Sequence, residues 1–456
     1  MRILHLSILS TSTLFLTAIA DPLPLHSPGF TAPLKHVWDL SRRSEVDISY
    51  RKRVEHGRRR LALAVGQPNP KKYFNRIDIP NMKGIQVDIK DSDGEKKTLL
   101  AASEAEEEDG YHSTRLEIES IDIGYICKTF IGTPLREFNM LVDSGSADFW
   151  VPREGCLSES GKKCAHKTLG PNTSNTFRSS NDFFFISYGS GDVLGFMGND
   201  TLSIADLQLK EYRFGTVTME SDYIALPEVS WDGIMGFGKP KISREPNTQP
   251  LLLALYNAGL IPFPIVSFKI PRFLDHEEGE MTLGALNPAR FKLDTVVTLQ
   301  STGTNGFWEV RVDKFGVNGA EMFSNEKVAI LDTGTTLIIV PPEDAELIHA
   351  FIPGSTFDGE EYRIPCNSSN HISVWFGGKE FDIDSRDMAM DLDEGKSECY
   401  SGIAPGDIGM GEGVWLMGDT LLKNVYMSLN MDTDEVTLAK LMQDTSRPCY
   451  FQVACE

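Results

Sequence analysis

Two short segments of this chain, 189 residues apart, read almost alike: Leu141-Val142-Asp143-Ser144-Gly145-Ser146 and Leu331-Asp332-Thr333-Gly334-Thr335-Thr336. Each has an apolar lead-in, a carboxylate, a small hydroxyl residue, a glycine and a second hydroxyl residue. One such tripeptide is a weak signal, because Asp, Ser, Thr and Gly also build ordinary turns. A second matched pair changes that. Trp231-Asp232-Gly233-Ile234-Met235-Gly236 reaches its last glycine 93 residues after Asp143, and Trp415-Leu416-Met417-Gly418-Asp419 reaches Gly418 86 residues after Asp332. Two motifs recurring in one order at similar spacing imply two lobes of like design, joined near residues 285 to 295. A chain of 456 residues, 41% of them hydrophobic, is long enough to build a core in each.

Short β-type runs broken by glycine, proline and asparagine dominate from residue 111 onward, as in Phe183 to Gly189 and Phe307 to Val312. They predict a mostly antiparallel β protein. Helical stretches are few; the clearest is Gln249 to Ala258, with Pro250 tolerated near a helix start.

The first twenty residues carry Arg2, an apolar stretch from Ile3 to Ile19 and a small-x-small Ala18-Ile19-Ala20. Residues 1–20 therefore read as a secretory signal peptide, too short for a membrane span. No later stretch has the length and apolarity to cross a bilayer, and the Tyr450 to Glu456 end lacks the hydrophobic tail of a lipid-anchor signal. A protein of the secretory route without a membrane anchor is expected, either secreted or delivered to a vacuole or lysosome.

Charge is distributed unevenly. Residues 21–100 hold 16 Lys and Arg against 10 Asp and Glu, a net of +6, whereas 101–456 hold 27 against 55, a net of −28. Basic clusters such as Arg42-Arg43, Arg51-Lys52-Arg53, Arg58-Arg59-Arg60 and Lys71-Lys72, closed by an acidic run from Glu104 to Asp109, mark 21–110 as solvated chain without sustained strand alternation. Either the acidic surface and the leader are unrelated, or the leader is a prosegment held on the body by charge, a grip that weakens as acid protonates the carboxylates. The acidic body argues against nucleic-acid binding, which needs clustered Lys and Arg.

Seven cysteines cannot all pair within one chain. Cys156 and Cys164 are close enough to staple a surface loop, and Cys366 with Cys399 could close a larger one. Of Cys127, Cys449 and Cys455, one is left over; the simplest arrangement bridges the tail pair and leaves Cys127 as a buried thiol. No Cys-x-x-Cys or close histidine pair suggests zinc, so neither metal nor other cofactor is expected. Asn172, Asn199 and Asn367 head Asn-x-Ser/Thr sequons, candidate glycan sites.

The paired motifs have a chemical logic. A glycine just past the aspartate lets the backbone approach closely, with its amide free to hydrogen-bond the carboxylate. Two carboxyls within hydrogen-bond reach do not both ionise cheaply, so they share a proton. One then serves as base toward a bound water, and the other as acid toward the carbonyl that the water attacks.

With these residues in view, the chain resembles a fungal-type, pepsin-family aspartic protease zymogen from about residue 69 to about residue 440. The resemblance implies a bilobal fold, two pseudo-twofold-related β lobes with the cleft between them. The signal peptide is then succeeded by a basic propeptide at 21–110, a first lobe at 111–288 and a second at 289–456, which carries the cysteine-containing tail. Asp143 and Asp332 fall on the two catalytic positions. Ser146 and Thr335 fall on the hydroxyls that bond the outer carboxylate oxygens; Ser144 and Thr333, each leading into its glycine, Gly145 or Gly334, fall on the pair that ties the lobes together. Tyr188-Gly189-Ser190 resembles the tip of a substrate-covering flap, with Trp150 as the usual partner of Tyr188. Leu141, Trp231 and Phe307 are expected beside the scissile bond. Asn69-Pro70-Lys71-Lys72-Tyr73-Phe74 resembles the inhibitory prosegment, with Lys72 reaching the aspartates and Tyr73 blocking the cleft.

The resemblance implies a monomeric acid endopeptidase that cuts polypeptides between hydrophobic residues and is silenced by its own propeptide. A catalytically dead, peptide-binding member of the fold is the alternative, but Asp143, Gly145, Asp332, Gly334 and Tyr188 are all present. A paired-carboxylate glycosidase needs its acids farther apart, with sugar-stacking aromatics at the cleft.

Overall fold

The computed structural model describes strands 85–90 and 96–101 and residues 111–442, apart from 120–121, 189–190, 246, 276–277, 324–325, 391–396 and 412. The signal segment, Lys72, Tyr73, Gly189, Ser190 and the Cys449 and Cys455 tail pair lie outside the described residues.

The body is built from β-strands, with short helices at their ends. In the first lobe, Arg136–Asp143 runs antiparallel to Gly124–Ile131 and parallel to Gly233–Gly236, whose far side pairs antiparallel with Phe149–Ser158. In the second, Lys327–Leu331 runs antiparallel to Glu309–Val312 and parallel to Val414–Met417, whose far side pairs antiparallel with Ile338–Val340. The two arrangements match strand for strand. The parallel strands lie buried on both faces, which is why Gly233-Ile234-Met235-Gly236 and Val328-Ala329-Ile330-Leu331 read as apolar runs rather than alternations. Elsewhere the burial alternates locally: at the start of Leu207–Glu220, Leu207 and Leu209 are buried, while Gln208 and Lys210 are exposed.

A sheet drawn from both halves of the sequence underlies the lobes. In order it contains Val297–Gln300, Glu435–Lys440, Val425–Asn430, Ile265–Lys269, Gly279–Leu283 and His112–Glu119. Strands on either side of residue 288 are thus neighbours, Ile265 facing Asn430.

The expected helix at 249–258 is present as Leu251–Asn257, with Pro250 as its N-cap and Gly259 at φ 68° just past the end, and it buries Leu251, Leu252, Ala254 and Leu255. The strand expected from Phe307 begins at Glu309. Within the leader, expected to lack strands, Ile85–Lys90 and Lys96–Ala101 form an antiparallel pair. The period-two alternation of Ile85, Val87 and Ile89 carries that signal, masked by the basic composition around it.

Cys156 is bonded to Cys164 and Cys366 to Cys399, with Cα atoms 5.5 and 4.9 Å apart. Cys127 is a free, fully buried thiol, and burial pushes its pKa up to about 12. No helix among the described residues is long and apolar enough to cross a membrane.

Candidate active site

Strands 136–143 and 327–331 end at their aspartate motifs, and the two motifs meet. A Cβ added to Gly145 would sit 2.6 Å from the carboxylate of Asp332, so only glycine lets the first loop come this close to the second aspartate. Both carboxylates are buried, Asp143 at 0% and Asp332 at 1% exposure. Their donors correspond one to one. Gly145 N–H donates to Asp143 Oδ1 at 2.9 Å and Ser146 Oγ–H to Asp143 Oδ2; Gly334 N–H donates to Asp332 Oδ1 at 2.8 Å and Thr335 Oγ1–H to Asp332 Oδ2 at 2.6 Å. Charge-assisted bonds of this kind orient a carboxylate and lower the cost of burying it.

Beneath the aspartates the loops are laced together. Ser144 N–H donates to Thr333 Oγ1 and Thr333 N–H to Ser144 Oγ, each at 3.0 Å. The two hydroxyls pass their own protons onward, Ser144 Oγ to Leu331 O at 2.9 Å and Thr333 Oγ1 to Val142 O at 3.1 Å. Serine in the first motif completes this reciprocal set as threonine does in the second.

The apolar-glycine motifs back the loops. Gly236 N–H donates to Asp148 O at 3.0 Å, and Gly418 N–H to Leu337 O at 3.1 Å; Asp148 and Leu337 each stand five residues past their aspartate. A Cβ on Gly418 would lie 1.9 Å from Thr335 O, an approach only glycine permits.

Over the first motif stands the hairpin of Arg178–Tyr188 and Gly191–Ile204, Tyr188 pairing with Gly191 at its tip. Trp150 Nε1–H donates to Tyr188 Oη at 2.8 Å. A narrow cleft opens between Ile186, Ser187 and Tyr188 on one side and Gly145, Ser146 and Asp148 on the other. Leu141, Trp150, Tyr188 and Trp231 share one buried apolar cluster with Ile186 and Ile224. Phe307 is separate from that cluster and fully buried, at 1% exposure. Its neighbour Trp308 reaches the other lobe, donating through Nε1–H to Phe237 O at 2.9 Å.

Sequence reasoning missed Asp148. Its buried carboxylate accepts from Ser243 Oγ at 2.7 Å and Arg244 N–H at 2.9 Å, and burial raises its pKa more than these donors lower it. Nothing in the repeat flags it, because the corresponding residue in the second copy is Leu337. Thr336 is a second omission; it donates through Oγ1 to Ile123 O at 2.8 Å, a tie from one half of the chain to the other.

Among candidate glycan sites, Asn172 and Asn367 are exposed and Asn199 half-buried; Asn172 Nδ2 donates to Glu154 Oε2 at 2.8 Å and Asn199 Nδ2 to Glu211 O at 3.1 Å.

The family model described as eukaryotic aspartyl protease matches residues 124–441. Among curated relatives, a probable aspartic-type endopeptidase CTSD of Arthroderma benhamiae is 27% identical over 452 residues, covering 96% of this chain and 80% of the relative. The aspartic-type endopeptidase ctsD of Aspergillus fumigatus is 29% identical over 371 residues, 80% of this chain and 76% of the relative. Cathepsin E of Rattus norvegicus is 29% identical over 332 residues, 71% of this chain and 81% of the relative. Two buried aspartates with matched donors on matched loops, in a chain covered by that family model over most of its length, identify it as a member of the eukaryotic aspartyl proteases, the pepsin family of peptide-hydrolysing enzymes.

Proposed function

We propose that Asp143 and Asp332 form the catalytic dyad of an aspartic endopeptidase. One carboxylate takes a proton from a bound water as the water attacks the scissile carbonyl. The protonated partner hydrogen-bonds the carbonyl oxygen, stabilises the charge that develops there and passes its proton on as the bond breaks. The observation that carries this reading is the one-to-one match of donors on the two carboxylates, with Asp332 packed against Gly145. Equivalent surroundings let either carboxyl serve as acid or base. Tyr188 and its hairpin exclude water and hold the peptide extended across the cleft. The apolar cluster of Leu141, Ile186 and Trp231 beside the first aspartate favours bonds flanked by hydrophobic residues.

The chain is made as a monomeric zymogen with a signal peptide at 1–20 and an inhibitory leader at 21–110, the lobes dividing near 288. The basic leader is held on the acidic body, Lys72 at the aspartates and Tyr73 in the cleft. Acid loosens it by protonating the body's carboxylates. The secretory route leads outside the cell or to a lytic compartment, with Asn367 and Asn172 the most accessible positions for glycans.

The test is incubation of the purified zymogen at acid pH with a peptide library, with and without a statine-type inhibitor. Inhibitor-sensitive cleavage between hydrophobic residues is expected. No such cleavage once the leader is removed overturns the reading in favour of a peptide-binding member of the fold. With Lys72→Ala, latency near neutral pH is expected to be lost; unchanged latency removes the inhibitory role from Lys72.

A further inference from the structure

Behind the apolar face shared by Leu141, Trp150, Tyr188 and Trp231 lies a pair of titratable side chains for which the proposed chemistry has no use. His166 Nδ1 lies 3.2 Å from Glu220 Oε2, and the two side chains are 3% and 0% exposed. The one hydrogen bond between them runs from Nδ1 to Glu220 Oε1 at 3.5 Å, and the imidazole is the polar group facing this buried carboxyl. His166 Nε2 has no hydrogen-bond partner among the described residues, so Glu220 is the polar anchor that orients the ring.

The ring lies nearly parallel to the Trp231 indole, centroids 6.1 Å apart and planes at 19°. Trp231 meets Trp150 edge-on at 6.1 Å and 77°, and Trp150 bonds Tyr188. An indole is broadly free about its outer side-chain torsion unless packed from more than one side. Trp231 is packed by Trp150 and by His166. The backbone fixes the same relation: Lys167 N–H, next to His166, donates to Asp232 Oδ1, next to Trp231, at 2.8 Å. On the other side, Glu220 ends strand 207–220 opposite Val193 on the returning strand of the hairpin, and Asp192 N–H donates to Ser221 Oγ at 2.6 Å. The His166–Glu220 pair therefore sits where the indole wall, the returning strand just past the hairpin tip and the loop closed by Cys156–Cys164 converge.

We propose that His166, oriented by Glu220, is a positioning residue for peptide cleavage: its ring fixes the tilt of Trp231, and with it the wall that receives the substrate side chain and the Trp150–Tyr188 bond. This rests on the reading that Trp231 faces substrate. The pair exerts its effect on binding in the cleft, leaving the proton transfers to the aspartates.

Steady-state kinetics on a hydrophobic peptide, using enzyme activated from the full chain, test this. His166→Ala and Glu220→Leu are expected to raise KM about tenfold with kcat within about threefold of wild type, because an unfixed wall must be ordered by each substrate. Glu220→Gln keeps an acceptor opposite Nδ1 and is expected to restore KM. A merely structural role lowers Tm and leaves the KM of the folded enzyme unchanged, and that result overturns the proposal. Trp231→Leu separates the layers: a KM shift there without one in His166→Ala overturns the positioning role alone, whereas no shift in Trp231→Leu removes the wall and the proposal with it. If His166→Ala does not fold, His166→Gln, which keeps a donor to Glu220 without the ring, decides by the same KM measurement.

Discussion

The Asp143 loop and the Asp332 loop share a backbone and a set of carboxylate donors, and differ in what lies beyond them. Both end a strand, both receive a glycine amide and a hydroxyl on the carboxylate, and both are backed by a glycine that tolerates no Cβ or packs where one would collide. The first loop carries a hairpin above it, an indole cluster beside it and the Asp148 carboxylate behind it. The second has Leu337 in place of Asp148 and lies close to a buried ion network that joins the two halves of the chain. There Lys423 Nζ lies 3.0 Å from Asp122 Oδ2 and 2.8 Å from Asp387 Oδ1, and Arg272 Nη2 lies 2.6 Å from Asp387 Oδ2. What repeats is therefore what the proposed proton chemistry needs. What differs divides the labour: the first lobe shapes the cleft, and the second is anchored to its partner.

If the chemistry is shared evenly, breaking either half should cost the same. Asp143→Asn and Asp332→Asn are each expected to lower kcat by at least about 10²- to 10⁴-fold, measured on activated enzyme. Clearly unequal losses would show that one carboxyl does most of the chemistry.

The anchoring half of the comparison is tested by Asp387. Burial pushes its pKa up, but Arg272 and Lys423 outweigh burial and hold it below the usual carboxylate value. Asp387→Asn removes the carboxylate that the two cations share, leaving Lys423 with Asp122 and Arg272 with Asp275, and is expected to destabilise the protein by about 3 kcal/mol at neutral pH, read by denaturant unfolding. The sign in acid comes from the lowered folded value. The stabilisation is complete above the unfolded carboxylate pKa, about 3.9, and fades as pH falls through the lower folded value. The gap between wild type and variant should therefore close below about pH 4.

A smaller effect is expected where the loops are laced. Ser144→Ala leaves the buried Thr333 amide without its acceptor and is expected to cost about 1–3 kcal/mol, whereas Ser144→Thr, which copies the second motif into the first, is expected to be nearly silent. The smallest effect falls on the hairpin over the first motif. Trp150→Phe removes the donor to Tyr188 and is expected to lower kcat/KM by roughly three- to tenfold, with little change in stability.

The repeat made the bilobal β fold legible, because the residues that place an aspartate on a tight loop are themselves the motif. The reciprocal Ser144 and Thr333 bonds could be anticipated from the family resemblance rather than from the repeat itself. Features that do not repeat left no echo elsewhere in the chain: Asp148 faces Ser243 and Arg244 from far along the sequence, and the Asp122, Lys423, Asp387 and Arg272 network is assembled from four separate segments of both halves. Phe307 shows the limit of a single position, since its core burial and the lobe-bridging bond of Trp308 next to it are decided by which way the chain enters strand 309–312.

If the two loops make one site, a tight statine-type inhibitor titrated into the activated enzyme should show it. Cleavage should fall linearly to zero at one inhibitor per chain, and neither Asp143→Asn nor Asp332→Asn should retain a second, inhibitor-resistant activity. Cleavage that persists at saturation, or that needs two inhibitors per chain to abolish, would mean that the loops do not act as a single dyad.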